Sequence, residues 1–176
     1  LYESSRDWNA LQTATSQEEW IAAFNGKTYQ DEFRELGEIV SYAAQTGVSE
    51  VFLSGSSYGG GLATIIAGTG IPQITKVLLA CPDIDQSNAN LPNIYQRMPE
   101  KQKFLDYISR FQGKLAIIHG EHDDRIPLKN SNELYEAATC LKEITMIPEA
   151  GHTFRGVEDK YAEEHVKAFG LIPELP

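Results

Sequence analysis

The stretch Val51-Phe52-Leu53-Ser54-Gly55-Ser56-Ser57-Tyr58-Gly59-Gly60-Gly61 holds the residues best suited to chemistry. Gly55 to Gly59 fits the pattern Gly-x-Ser-x-Gly, in which a serine rides a sharp strand-to-helix turn with its hydroxyl projecting. Serine is a weak nucleophile until a base takes its proton and an acid orients that base. Both kinds of partner occur further along the chain. Glu121-His122-Asp123-Asp124-Arg125 is an acidic cluster after one apolar run, with Asp123 and Asp124 as alternative acids. Gly151-His152-Thr153-Phe154 places a histidine after another. In the order Ser57, acid, His152, these residues could carry out nucleophilic catalysis.

The neighbours read differently. His119 ends an apolar run and is expected to be a packing histidine; His122, beside two acids, is expected to be solvated. His165 falls on a helical stripe. Ser54 belongs to a strand, and Ser56 should point away from the site. Cys81 ends a strand close to the site, where it would pack or touch substrate.

The elements that would position these groups alternate. Glu50 to Gly55, Lys76 to Pro82, Lys114 to Gly120 and Glu143 to Pro148 are short apolar runs between turn signals, as expected of strands buried on both faces. Helical patterns lie between and around them. Phe33, Leu36, Val40 and Ala43 recur at spacings of three and four over 31–45, and Gly47 follows as a cap. Residues 58–67 are small and apolar. Leu134, Ala137, Ala138 and Leu141 form a stripe over 130–141, and Tyr161, His165, Ala168 and Phe169 another over 157–169. Alternating strands and helices predict an α/β class with a mainly parallel sheet flanked by helices. Loops at the carboxyl ends of its strands would converge on one edge and bring the three sites together. Residues 83–113 form the longest connection, with a helix expected near 101–111; such an insertion would be a short lid or pocket wall, or a crossover helix with a ragged entrance.

Composition narrows the classes. The 176 residues suit one domain spanning 1–176, large enough to bury a core without staples. Fifteen Lys and Arg against 25 Asp and Glu give a net charge of −10, which disfavours nucleic acid. Cys81 and Cys140 suit neither a disulfide framework nor a zinc site. No apolar run approaches the roughly 20 residues of a membrane span.

Taken together, these motifs resemble the α/β-hydrolase superfamily, in its serine esterase and prolyl-oligopeptidase-like forms, from about residue 32 onward. Gly55 to Gly59 corresponds to its nucleophile elbow. The family's pattern of His-Gly, two residues, Asp, two residues, aliphatic and Pro, laid on His119 to Pro127, selects Asp123 as the acid; its terminal Gly-His selects Gly151-His152. The resemblance implies a Ser57–His152–Asp123 triad, an oxyanion held by the Tyr58 N–H, and no metal or organic cofactor. Ile84, Tyr95 and Phe154 are the candidate substrate-binding residues. The implied activity is hydrolysis of a small-molecule carboxylic ester, with a peptidase, a thioesterase or a non-catalytic binding protein of the same fold as alternatives. A second oxyanion donor would come from an earlier loop, and residues 1–49 hold neither a His-Gly pair nor a convincing apolar strand. The family's first strands are therefore expected to be missing, so that the chain is N-terminally truncated or a second chain or self-association completes the sheet. The opening residues carry no apolar leader. A cytoplasmic location is the expectation adopted, although a missing start would leave that opening uninformative.

Overall fold

A computed structural model describes residues 8–24, 26–85 and 95–171. The expected alternation of strands and helices is present. Strands β1 (Val51–Ser56), β2 (Ile74–Ala80), β3 (Lys114–Gly120) and β4 (Leu141–Ile147) form a parallel sheet in the order β1-β2-β3-β4. Parallel neighbours need crossovers, supplied here by α4 (Tyr58–Ala67), α5 (Lys101–Ile108) and α6 (Leu128–Ala137). Helix α3 (Tyr29–Gln45) precedes the sheet and α7 (Glu158–Phe169) follows it. Two short helices, α1 (Trp8–Thr13) and α2 (Gln17–Ala22), open the described chain.

Side-chain alternation sorts each central strand between two cores. Val77 and Leu79 of β2 and Leu115 and Ile117 of β3 face a cluster that includes Val40, Leu62, Phe104 and Leu134 from α3 to α6. Leu78, Ala80, Ala116 and Ile118 face the opposite cluster, with Ala168 of α7 and Phe154. The expectation of strands buried on both faces holds for β2 and β3. It fails for β1 and β4, the outer strands of the described sheet, where Ser54, Ser56, Leu141 and Met146 are exposed. Among the described residues no helix is long and apolar enough to cross a membrane.

Some boundaries differ from the sequence reading. The stripe over 130–141 predicts a helix reaching Leu141, yet α6 stops at Ala137 and Ala138 is already extended at ψ 133°. Leu141 instead opens β4, paired with Lys114 and 73% exposed. The Lys142 ammonium donates to the Tyr135 and Ala138 carbonyls at 2.5 and 2.8 Å, satisfying the acceptors that end the helix. In the 83–113 connection, α5 is a crossover helix packed on α4 and α6. Residues 86–94, where a lid would lie, fall outside the described residues.

Candidate active site

The elbow is built by backbone geometry. Ser57 stands between the last residue of β1 and the first of α4 at φ 52°, ψ −121°, a conformation L-residues seldom adopt. Its amide donates to the Ala80 carbonyl at 2.8 Å, and its carbonyl accepts from the Asp83 amide at 2.9 Å. The strain is thus held from both sides by the turn after β2. Of the two motif glycines only the first is sterically required. A Cβ on Gly55 would lie 2.3 Å from the Gly59 carbonyl oxygen, whereas one on Gly59 would meet nothing within 4 Å. Tyr58 is the first residue of α4, so its N–H belongs to the positive end of the helix dipole. Its ring packs edge-on against Tyr29 and Tyr95, at centroid distances of 5.1 and 5.4 Å.

The acid loop follows β3. Asp123 Oδ1 accepts the Arg125 and Ile126 amides, both at 2.9 Å, and its carboxylate is 1% exposed. Asp124 and His122 point to solvent. The histidine loop follows β4 and is tied to the acid loop by the His122 amide on the Ala150 carbonyl at 2.9 Å. Glu149 and Phe154 bracket it with positive φ, at 61° and 54°. Four of the five non-glycine residues with positive φ among those described, Ser57, Cys81, Glu149 and Phe154, border this one locus. Backbone strain gathers at functional sites because the surroundings over-determine it there.

These loops bring Ser57, His152 and Asp123 together. His152 Nδ1 lies 2.8 Å from Asp123 Oδ2, and His152 Nε2 lies 3.0 Å from Ser57 Oγ. A buried carboxylate accepts, so Nδ1 carries the proton and Nε2 presents its lone pair to the Ser57 hydroxyl. Burial alone would raise the Asp123 pKa. Hydrogen bonds from the Cys81 thiol, the Ile126 amide, His152 and the Arg125 amide outweigh it and hold the carboxyl below its ordinary value.

The remaining candidates are spread around this chain. Ile84 has no exposed surface and belongs to the core beneath α4 and α5. Phe154 is buried against Tyr161, with ring centroids 4.5 Å apart. Tyr95 is partly exposed and donates its hydroxyl to Asp83 Oδ2 at 3.0 Å. His119 does more than pack: its Nδ1 pairs with the Ser131 hydroxyl at 2.7 Å and its Nε2 with the Ile126 carbonyl at 3.1 Å, clamping the acid loop to α6. A second serine–histidine pair occurs on β1, where Ser54 Oγ lies 3.1 Å from His165 Nε2. A groove of about 960 Å³ runs along α3, lined by Phe33, Arg34, Tyr42 and Arg97 among others, and contains none of Ser57, Asp123 or His152.

A parallel sheet with helices on both faces and a strand–serine–helix elbow defines the α/β-hydrolase fold. Within it, the prolyl oligopeptidase family model matches residues 13–171, and the chain belongs to that family, a serine-hydrolase kind of enzyme. Solved structures agree on the fold. Est1E from Butyrivibrio proteoclasticus matches with a TM-score of 0.66 at 17% identity, over 84% of this chain and 71% of its own. The metagenome-derived lipolytic enzymes LipS and LipT match with a TM-score of 0.72 at 15% identity, over 87% of this chain and 76% of the other. The monoacylglycerol lipase of Paleococcus ferrophilus gives 0.59 at 15% identity, over 77% and 74%.

Proposed function

We propose that the protein cleaves a carboxylic ester of a small molecule through an acyl-enzyme on Ser57. The observation that carries this reading is the unbroken chain from Asp123 Oδ2 through His152 to Ser57 Oγ, with links of 2.8 and 3.0 Å. Ser57 Oγ attacks the ester carbonyl carbon as His152 Nε2 takes the hydroxyl proton, and the carbonyl oxygen becomes an oxyanion facing the Tyr58 N–H. Collapse of the tetrahedral intermediate breaks the bond to the alcohol, which leaves with the proton from His152. Water then repeats the sequence on the acyl-enzyme and frees the acid. Asp123 keeps the imidazole in the tautomer with Nδ1 protonated and stabilises the imidazolium at each step. Tyr95 offers exposed surface for the substrate, while Ile84 and Phe154 shape the wall from behind.

A peptide bond is the second reading, supported by the family match itself. The test is a panel of acyl esters, thioesters and proline-containing peptides, followed for a burst of product equal to the enzyme present and for the mass of the acylated protein. The expected result is a burst with the esters, an acyl adduct on Ser57, and loss of both in Ser57→Ala. Turnover that survives Ser57→Ala, or a folded protein inert to the whole panel, would overturn the proposal; a burst with peptides alone would select the second reading.

A further inference from the structure

The turn after β2 touches both halves of the site. The carbonyl of Ala80, the last residue of β2, and the Asp83 amide hold Ser57 at 2.8 and 2.9 Å, and the Cys81 amide between them donates to Ile118 of β3 at 2.9 Å. Cys81 has no exposed surface and a backbone φ of 43°, an unusual cost for a residue other than glycine. Its thiol, a His119 ring nitrogen and an Asp123 carboxylate oxygen all lie within 4.8 Å of one another.

Such a trio could suggest a metal site, but the hydrogen bonds assign it otherwise. A carbonyl can only accept, so His119 Nε2, 3.1 Å from the Ile126 oxygen, carries the ring proton. The other nitrogen accepts from the Ser131 hydroxyl at 2.7 Å, so both His119 nitrogens are committed. Nε2 stands 3.7 Å from Asp123 Oδ2, beyond a good hydrogen bond. The Cys81 thiol, in contrast, lies buried within 4.8 Å of the carboxylate, near enough to act beside His152 in holding the Asp123 pKa down.

We infer that Cys81 is a positioning residue: its buried thiol, aimed by a left-handed backbone turn that also grips the elbow, holds the Asp123 carboxylate against His152. The inference rests on the reading of Ser57, His152 and Asp123 as a relay. A donor on the carboxylate draws charge away from the bond to His152. Without it, more of that charge falls on Nδ1–H, the imidazolium is favoured, and His152 titrates at higher pH. The groups facing Asp123 are Cys81 from the turn after β2, His119 from β3 and His152 from the loop after β4. Tyr161 of α7 packs against the same cluster as Cys81 and interacts with it. Burial and the neighbouring carboxylate push the Cys81 thiol far above its ordinary pKa, so it remains a protonated donor across the working range.

The experiment follows the His152 imidazole through a pH titration by nuclear magnetic resonance in the intact wild type and in Cys81→Ala, Cys81→Gly and Cys81→Ser. Far-UV circular dichroism reports the fold of each variant. Cys81→Gly relieves the backbone and removes the donor, whereas Cys81→Ser keeps a donor. The expected result is an upward shift of about half a pH unit in both the Ala and Gly variants, with Ser close to wild type. If Ala does not fold, Gly against Ser gives the same reading. His152 titrating alike in the donor-free variants and the wild type would overturn the inference, as would a Ser variant that shifts as far as Gly. The titration needs no turnover. A wild type that no fluorophosphonate labels would remove the relay's functional reading and leave the Cys81 result standing.

Discussion

Two serines three residues apart, Ser54 within β1 and Ser57 just past its end, each pair with a histidine, and the bond lengths barely differ: 3.0 Å for Ser57–His152 and 3.1 Å for Ser54–His165. In each, the far nitrogen of the ring is engaged. His152 Nδ1 meets the Asp123 carboxylate at 2.8 Å, while His165 Nδ1 meets the neutral Tyr161 carbonyl, one helical turn away, at 3.0 Å. Ser57 is strained, at the mouth of α4; Ser54 lies within the regular β1–β2 ladder opposite Leu78. A serine–histidine hydrogen bond alone is therefore no ground for proposing a nucleophile. What distinguishes one pair is a charge behind the base and a helix N-terminus beside the serine, where negative charge will develop.

The largest contrast should be in catalysis. Ser57→Ala and His152→Ala are expected to lower ester turnover by about four to six orders of magnitude, measured as kcat. Ser54→Ala and His165→Ala should leave it within about twofold, because neither touches the relay. The acid is next: Asp123→Asn should cost about four orders of magnitude in kcat, by favouring the wrong imidazole tautomer. Asp124→Asn, altered one residue away in an exposed side chain, should cost almost nothing. Equal losses from the two aspartate variants would break the comparison.

Gly55 lies between the two serines and tests the turn that separates them. Gly55→Ala should destabilise by about 3 kcal/mol or more in urea unfolding, since its Cβ would sit 2.3 Å from the Gly59 carbonyl oxygen. Gly59→Ala should fall within about 1 kcal/mol of wild type, on the stabilising side, because a Cβ meets open space there in a helix. The smallest expected effect concerns the clamp under the acid loop. Burial lowers the His119 pKa from its ordinary 6.5, partly offset by Asp123. As pH falls through about 6.5 the unfolded chain therefore takes up a proton before the native state does, and stability declines until the folded-state pKa is passed. His119→Gln should flatten that part of the stability-against-pH profile measured by urea unfolding, whatever its stability at neutral pH.

What could be read from the sequence follows from periodicity and punctuation. The strand–Gly-x-Ser-x-Gly–helix order, the His119 to Pro127 pattern and Gly151-His152 are local signals, and the structure brings Ser57, Asp123 and His152 together where they place them. Signals that depend on tertiary context were hidden. Leu141 fits the helical stripe of α6 by spacing, yet pairing with Lys114 draws it into β4. The positive φ of Cys81 and Glu149 has no mark in residue types that seldom adopt it. His119 ends an apolar strand and reads as packing, because its partners Ser131 and Ile126 are chosen by the loop's fold rather than by any motif. Helices α1 and α2 are six residues each, too short for a clear period.

The central claim is that the relay activates Ser57 and nothing activates Ser54. The direct measurement is reaction with a fluorophosphonate, intact mass, and peptide mapping of the labelled residue, in the wild type and in His152→Ala and His165→Ala. The account predicts one adduct per chain, on Ser57, lost in His152→Ala and kept in His165→Ala. An adduct on Ser54, or an unlabelled Ser57 in folded wild-type protein, would contradict it.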